Sequence, residues 1–296
     1  MSALLDIRSL SAQLKSTDQP VLRDVSLTLQ PREVHGLVGE SGAGKTTIAK
    51  AILGILPQAI AVTGGEVLFE GQDLLKLGRH GMRALLGREI ALIPQDPLTA
   101  LNPSRRIASQ IMDGLIAKRG LSRREARDRA LSLLQEVYIN DPERVMRAFP
   151  HQLSGGMRQR VLIASAFGLE PRLIIADEPT TALDVTVQKQ ILRLIRIMQD
   201  VHNTAIVFVT HDLGVVAQIC DRVSVLYAGK VVEQSEVTVL FRDPQHAYTR
   251  ALIAANPRYD DPNASLVPVS DTVVRDLHAD LDGTASRGSA VSETVS

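Results

Sequence analysis

Residues 39–46, GESGAGKT, fit the pattern G-x-x-x-x-G-K-[ST], and few folds can accommodate that stretch. An apolar run, Val34 to Val38, precedes it, and the segment from Thr47 to Leu53 follows with helical spacing. Gly39, Gly42 and Gly44 let the backbone turn tightly against a ligand, because no Cβ intervenes. Successive N–H groups then converge at the positive end of the following helix dipole, which makes a phosphate cradle. Lys45 reaches β- and γ-phosphates as a mobile cation, and the Thr46 hydroxyl can ligate Mg²⁺. Strand, glycine loop and helix in this order predict an α/β chain that binds a nucleoside triphosphate. The loop alone leaves open what the energy is used for.

The length, 296 residues, suffices for one large or two small cores. Lys+Arg and Asp+Glu both number 33, so no net charge favours a polyanion, and nucleic acid is not expected as a partner. The single cysteine, Cys220, excludes an internal disulfide framework. It lies in an apolar helical run and reads as a small buried hydrophobe. No signal-peptide pattern and no run of 18 apolar residues is visible, so the chain should not itself span a membrane.

In chain order, 3–14 and 21–29 read as two strands, antiparallel to each other, with a turn at Gln30-Pro31-Arg32. After the P-loop helix, Gly64-Gly65 is expected to introduce a short strand, Glu66 to Phe69. Residues 79–87 read as a helix and Ile90 to Ile93 as a buried strand. Between 105 and 149 the pattern turns wholly helical, in segments of about 107–118, 122–138 and 141–149, with Ser122 and Asp141 as N-caps. This block reads as a helical insertion between two halves of an α/β core. Its arginines, Arg123, Arg124, Arg127 and Arg129, could face nucleic acid or lipid; the interleaved Glu125 and Asp128 favour a solvated helix face. Leu173 to Ala176 and Ala205 to Val209 are buried-strand patterns flanking a long amphipathic helix, about 185–202. Strands at 222–227 and 230–233 follow, and a last helix begins near Ala247. From about Asn256 the composition turns polar and small, as in a flexible extension.

Phosphate chemistry needs an acidic partner for the metal, and a carboxylate ending a hydrophobic strand beside the P-loop strand supplies one. Asp177 stands in that place, with Glu178 next to it as a candidate base for the attacking water. The two could instead cap the next helix, but a P-loop in the same chain favours the first assignment. Gln95 and His211 each follow a short apolar strand, and in a parallel sheet such ends share one edge. Either can meet Mg²⁺, water or γ-phosphate there, or simply be a satisfied loop residue. In LSGGMRQR, Ser154-Gly155-Gly156 opens a helix and forms a second anion cradle. A second cradle makes sense if it serves a neighbouring molecule's nucleotide; otherwise it is a capped helix start.

Together these segments resemble the nucleotide-binding subunit of an ATP-binding cassette (ABC) transporter. GESGAGKT resembles the Walker A motif, Gln95 the Q-loop and LSGGMRQR the signature. LIIADEP at 173–179 resembles Walker B, TALD at 181–184 the D-loop, and His211 the switch histidine. All occur in family order, over about residues 3–255. QDPLTALNP at 95–103, FPHQLSGGMRQR at 149–160, DEPTTALDVTVQKQIL at 177–192 and FRDPQHAYTRALIAANP at 241–257 resemble one branch, the oligopeptide, dipeptide and nickel importers.

The resemblance implies a P-loop ABC ATPase core at 1–255, an antiparallel β subdomain, an inserted helical subdomain at about 100–155, and a C-terminal extension at 256–296. It implies that ATP lies between two head-to-tail cassettes, identical or homologous. Gly39, Glu40, Ser41, Gly42, Ala43, Gly44, Lys45, Thr46 and Thr47 would hold the nucleotide in one cassette. Ser154, Gly155, Gly156 and Asp184 would close over it from the other. Thr46, Gln95 and Asp177 would hold Mg²⁺, Glu178 would polarise water, His211 would meet the γ-phosphate, and Gln95 would link the site to the permease. The implied partners are two membrane permeases and, indirectly, an extracytoplasmic solute-binding protein. The chain would then sit peripherally on the cytoplasmic face of the inner membrane. Di- or oligopeptides are the expected cargo, with nickel or another small solute as the alternative. A soluble ABC ATPase of translation or DNA repair would need a second cassette, zinc cysteines or coiled-coil arms, none of which is visible. A P-loop small-molecule kinase would leave the signature and D-loop unexplained. The sequence departs from the family at Leu14, where relatives usually place an adenine-stacking aromatic, and lacks the C-terminal cysteine cluster that some members of the branch carry.

Overall fold

A computed structural model describes residues 3–181 and 183–255. Strands β1 (Leu5–Leu14), β2 (Pro20–Leu29), β4 (Ile60–Phe69) and β5 (Gln72–Asp73) form an antiparallel sheet in the order β2-β1-β4-β5. A second sheet holds β3 (Val34–Val38), β6 (Ile90–Ile93), β7 (Leu173–Asp177), β8 (Ala205–Thr210), β9 (Arg222–Tyr227) and β10 (Lys230–Glu236). Its order is β10-β9-β3-β8-β7-β6, and only β10 runs antiparallel to its neighbour. β3 and β8 are buried at every position, as expected of apolar strands covered on both faces.

Helix α1 (Lys45–Ile52) packs Ile48 and Ile52 between the sheets, against Leu29 and Val67 on one side and Leu37 and Val207 on the other. Helices α2 (Arg79–Leu85) and α3 (Pro97–Ala100) flank β6 in the chain. The helical block comprises α4 (Ile107–Arg119), α5 (Arg123–Glu136) and α6 (Pro142–Arg147), leading to α7 (Gly155–Gly168). Ser122 Oγ accepts from Glu125 N at 3.3 Å while Glu125 accepts from Ser122 N at 2.8 Å, a complete capping box. Asp141 caps α6 through Arg144 N at 3.0 Å. Ile111, Leu115, Leu133 and Phe167 share one apolar cluster with Ile93, Ile174 and Phe208 of the sheet, so the block has no separate core. α8 (Val185–His202) and α9 (Leu213–Ile219) cover the same face. α10 (Val237–Arg242) and α11 (Ala247–Ala255) close a third cluster over β9.

Several expectations are corrected. The glycine pair at 64–65 does not start a strand; β4 begins at Ile60 and runs through it. A Cβ at Gly65 would sit 2.4 Å from Ser9 O, where the pairing with β1 shifts register. Glycine is therefore needed for a bulge inside the strand. β10 extends to Glu236, and α3 and α10 are too short to leave a readable period. Cys220 is not within a helix: it follows α9, partly buried, and burial pushes its thiol up.

The arginine face of α5 is exposed to solvent, in line with the solvated face that the interleaved acids favour. Glu125 is engaged in the cap, Arg127 pairs with Glu143 at 2.6 Å, and Arg129 with Glu136 at 2.6 Å. Arg123 and Arg124 stay exposed without a carboxylate partner among the described residues. The expectation of a flexible extension at 256–296 lies outside the described residues, as does Ala182 of the D-loop segment.

Candidate nucleotide site

The parallel strands bring their C-terminal ends to one edge: Val38 pairs with Thr210, Asp177 with Val209, and Ile93 with Ala176. Asp177 ends β7, Gly39 and His211 directly follow Val38 and Thr210, and Gln95 lies two residues after Ile93; these are the residues the sequence marked. Gly39 follows β3 with φ +156°, and a Cβ there would lie 2.2 Å from Leu226 O, so only glycine fits against the end of β9. Gly44, at φ 103°, is the N-cap of α1 and provides no side-chain hydrogen bond to the helix. The first N–H groups of α1 are thereby left for an anion.

Lys45 is buried at 5 % exposure and donates through Nζ to Gly39 O at 2.6 Å and Glu40 O at 2.8 Å. Burial lowers its pKa, against the opposing pull of Glu178, Asp177 and Glu40. The ammonium is thus partly dehydrated and held by carbonyls, ready to exchange them for phosphate oxygens.

Thr46 donates to Asp177 Oδ1 at 3.4 Å. Burial, then the charge of Glu178, raises the Asp177 pKa above the ordinary range. No ion pair joins Asp177 to a cation among the described residues. A half-buried carboxylate with one long hydroxyl contact keeps oxygen lone pairs available, and this donor set of carboxylate and hydroxyl oxygens suits a hard cation such as Mg²⁺.

Glu178 is the meeting point of the site. Its Oε2 accepts from Thr181 Oγ1 at 2.9 Å and Gln95 Nε2 at 3.2 Å, and its Oε1 faces His211 Nδ1 at 3.3 Å. Its backbone is left-handed, φ 45°, and its N–H is held by Val209 O at 3.0 Å. Such strain in a non-glycine residue persists where surrounding contacts over-determine it, as at functional sites. Gln95 and His211 therefore converge on the carboxylate between them.

The remaining sequence-marked residues are elsewhere. Ser154 caps α7 by accepting Met157 N at 3.3 Å, and Gly155 and Gly156 are the first residues of that helix. No hydrogen bond among the described residues connects them to the P-loop. Asp184 caps α8 through Val187 N at 2.9 Å. Leu14 ends β1 half-buried, paired with Ile60, so any base there would meet an aliphatic surface. Two participants lie in segments the sequence marked but were given no role at the site: Thr181, a Glu178 donor, and Tyr248, whose hydroxyl meets the P-loop at Glu40 N.

A family model described as ABC transporter matches residues 22–181. The chain is 47% identical over 283 residues to a probable peptide ABC transporter ATP-binding protein of Sinorhizobium fredii, covering 95% of this chain and 84% of that protein. It is 43% identical to the dipeptide transport ATP-binding protein of Bacillus subtilis, covering 92% and 82%. Among solved structures, a dimeric ATP-binding cassette in a post-hydrolysis state with ADP and phosphate superposes with a TM-score of 0.69. It is 29% identical, covering 79% of this chain and 98% of that one. With its P-loop, Asp177 and Glu178 on one sheet edge, this chain belongs to the ABC transporter family as one of its ATP-binding, ATP-hydrolysing subunits.

Proposed function

We propose that this chain powers the import of di- or oligopeptides, as one of two cassettes coupled to two membrane permeases and fed by an extracytoplasmic solute-binding protein. The observation that carries the reading is the convergence of Gln95, Thr181 and His211 on Glu178. Gln95 opens the segment that leads into the helical block, so a partner moving that block can reach the hydrolytic carboxylate through one side chain.

In the mechanism, the P-loop N–H groups and Lys45 bind the phosphates. Thr46, Asp177 and Gln95 would hold Mg²⁺, which would supply neutralisation of phosphate charge. Glu178 orients the attacking water and accepts its proton. His211, which faces the other oxygen of that carboxylate, would hold the γ-phosphate. Ser154 and Asp184 cap their own helices here, Gly155 and Gly156 open one of them, and all four would act on the partner cassette's nucleotide. Paired cassettes that close on ATP and reopen after hydrolysis would drive the permeases. No described helix is long and apolar enough to cross a membrane, which agrees with peripheral attachment to the permeases on the inner membrane's cytoplasmic face.

The surface that supports permease docking lies on the helical block. A cavity of about 680 Å³ has Ala108, Met112 and Met146 on its wall, ringed by Arg106, Arg123, Arg124, Arg127 and Arg147, with Glu143 the single carboxylate. Methionines adapt to an apolar knob, and the arginines complement an acidic helix. Arg123→Glu combined with Arg124→Glu is expected to cut coupled transport by at least about tenfold, since charge reversal at a rim costs association most. ATP hydrolysis by the isolated chain should stay within about twofold, because neither side chain reaches the site.

Co-expression with its permeases and purification from membranes tests the whole reading. Recovery with two permeases, and ATP hydrolysis stimulated by peptide plus binding protein, is expected. Stimulation by nickel in place of peptide would move the cargo assignment, and recovery with ribosomes or DNA would overturn the transport role.

A further inference from the structure

Tyr248 in α11 lies 208 residues from Glu40 and is wholly buried, yet its hydroxyl accepts the Glu40 N–H at 3.4 Å. The peptide unit that carries this N–H also carries the Gly39 carbonyl, which receives Lys45 Nζ at 2.6 Å. A peptide is planar and resists twisting, so contacts on its two edges fix the rotation of a single plate. Lys45 rests on one edge and Tyr248 holds the other.

The surroundings make this a built contact. The Tyr248 ring packs on Tyr227 with centroids 4.7 Å apart and planes tilted by 52°. Tyr227 follows Leu226, the residue whose carbonyl oxygen leaves no room for a Cβ at Gly39. At the start of α11, the Glu233 carboxylate accepts Gln245 N at 2.8 Å and His246 N at 2.9 Å, which anchors the helix to β10. Burial, then the nearby Glu40 carboxylate, pushes the Tyr248 phenol up to about 12, so it stays protonated at neutral pH.

We propose that Tyr248 is a positioning residue for ATP: α11 sets the orientation of the 39–40 peptide and, through it, the resting place of Lys45. The inference rests on the nucleotide-site assignment made above. It extends that site to the C-terminal helix, which none of the phosphate-binding motifs includes.

Tyr248→Phe removes the hydroxyl and keeps the ring, and should fold. In the full chain its ATP dissociation constant and KM should rise about threefold to tenfold, the range for losing one neutral hydrogen bond. Turnover should remain within about twofold, and the melting temperature without nucleotide should not move, since packing is unchanged. Leu252→Ala in the same helix provides the contrast. It removes buried apolar volume, so it should lower the melting temperature while ATP affinity stays within about twofold. Unchanged ATP affinity in Tyr248→Phe would overturn the proposal. Equal weakening in both variants would also overturn it, because α11 would then act only through stability. A parent chain that binds no ATP at all would instead fail the nucleotide-site assignment and take this inference down with it.

Discussion

Glu178→Gln is expected to slow ATP hydrolysis by about three orders of magnitude, within the range for losing a positioned general base, while ATP affinity changes by less than about threefold. The two side chains have the same shape, so the amide can keep the Thr181 contact at 2.9 Å and stay near His211. It cannot take a proton. The backbone argues the same way: the left-handed φ of 45° and the N–H bond to Val209 O place this side chain irrespective of its charge. Lys45 and the free N–H groups of α1, to which binding is assigned, are untouched. Single-turnover hydrolysis and equilibrium binding by the same preparation separate the two effects. Turnover at the parent rate would remove Glu178 from the role of base; a parallel loss of binding would show that the substitution had disturbed the phosphate cradle instead.

The site edge was legible because its signals are local. Each contributing strand is a short apolar run that ends on, or within two residues of, a residue that apolar burial does not explain: Gly39, Gln95, Asp177 with Glu178, and His211. The parallel register then aligns these ends without further information from the sequence. The helical block was legible for a similar reason, since Ser122 with Glu125 and Asp141 with Pro142 are complete start signals. What local pattern could not reach is pairing between distant segments. Gly64-Gly65 looks like a turn until β1 is laid beside it. Arg127 of α5 finds its carboxylate on α6, in Glu143, which only packing brings near. Tyr248 looks like an ordinary core aromatic, and only the tertiary structure carries its hydroxyl to the P-loop.

Lys45→Met should weaken ATP binding by about a hundredfold, the loss of a charge-assisted bond worth about 1.5–3 kcal/mol, without unfolding the chain. The lysine is an expensive residue in the nucleotide-free protein. It is 5 % exposed, and burial outweighs the pull of three nearby carboxylates on its pKa. Its carbonyl bonds offset part of that cost. A methionine of similar length fills the space, loses those bonds and no longer buries a charge, so the terms oppose each other. The melting temperature without nucleotide should therefore move by less than about 3 °C, consistent with the near-neutral exchange of buried ions for apolar side chains. Added ATP should raise the melting temperature of the parent chain through mass action but barely shift the variant. A large drop without nucleotide would mean that Lys45 chiefly braces the 39–40 turn. An undiminished ATP shift would mean that the N–H cradle at α1 holds the phosphates without it. The pattern expected here, small apart from ligand and large with it, is that of a side chain kept desolvated for the phosphate it receives.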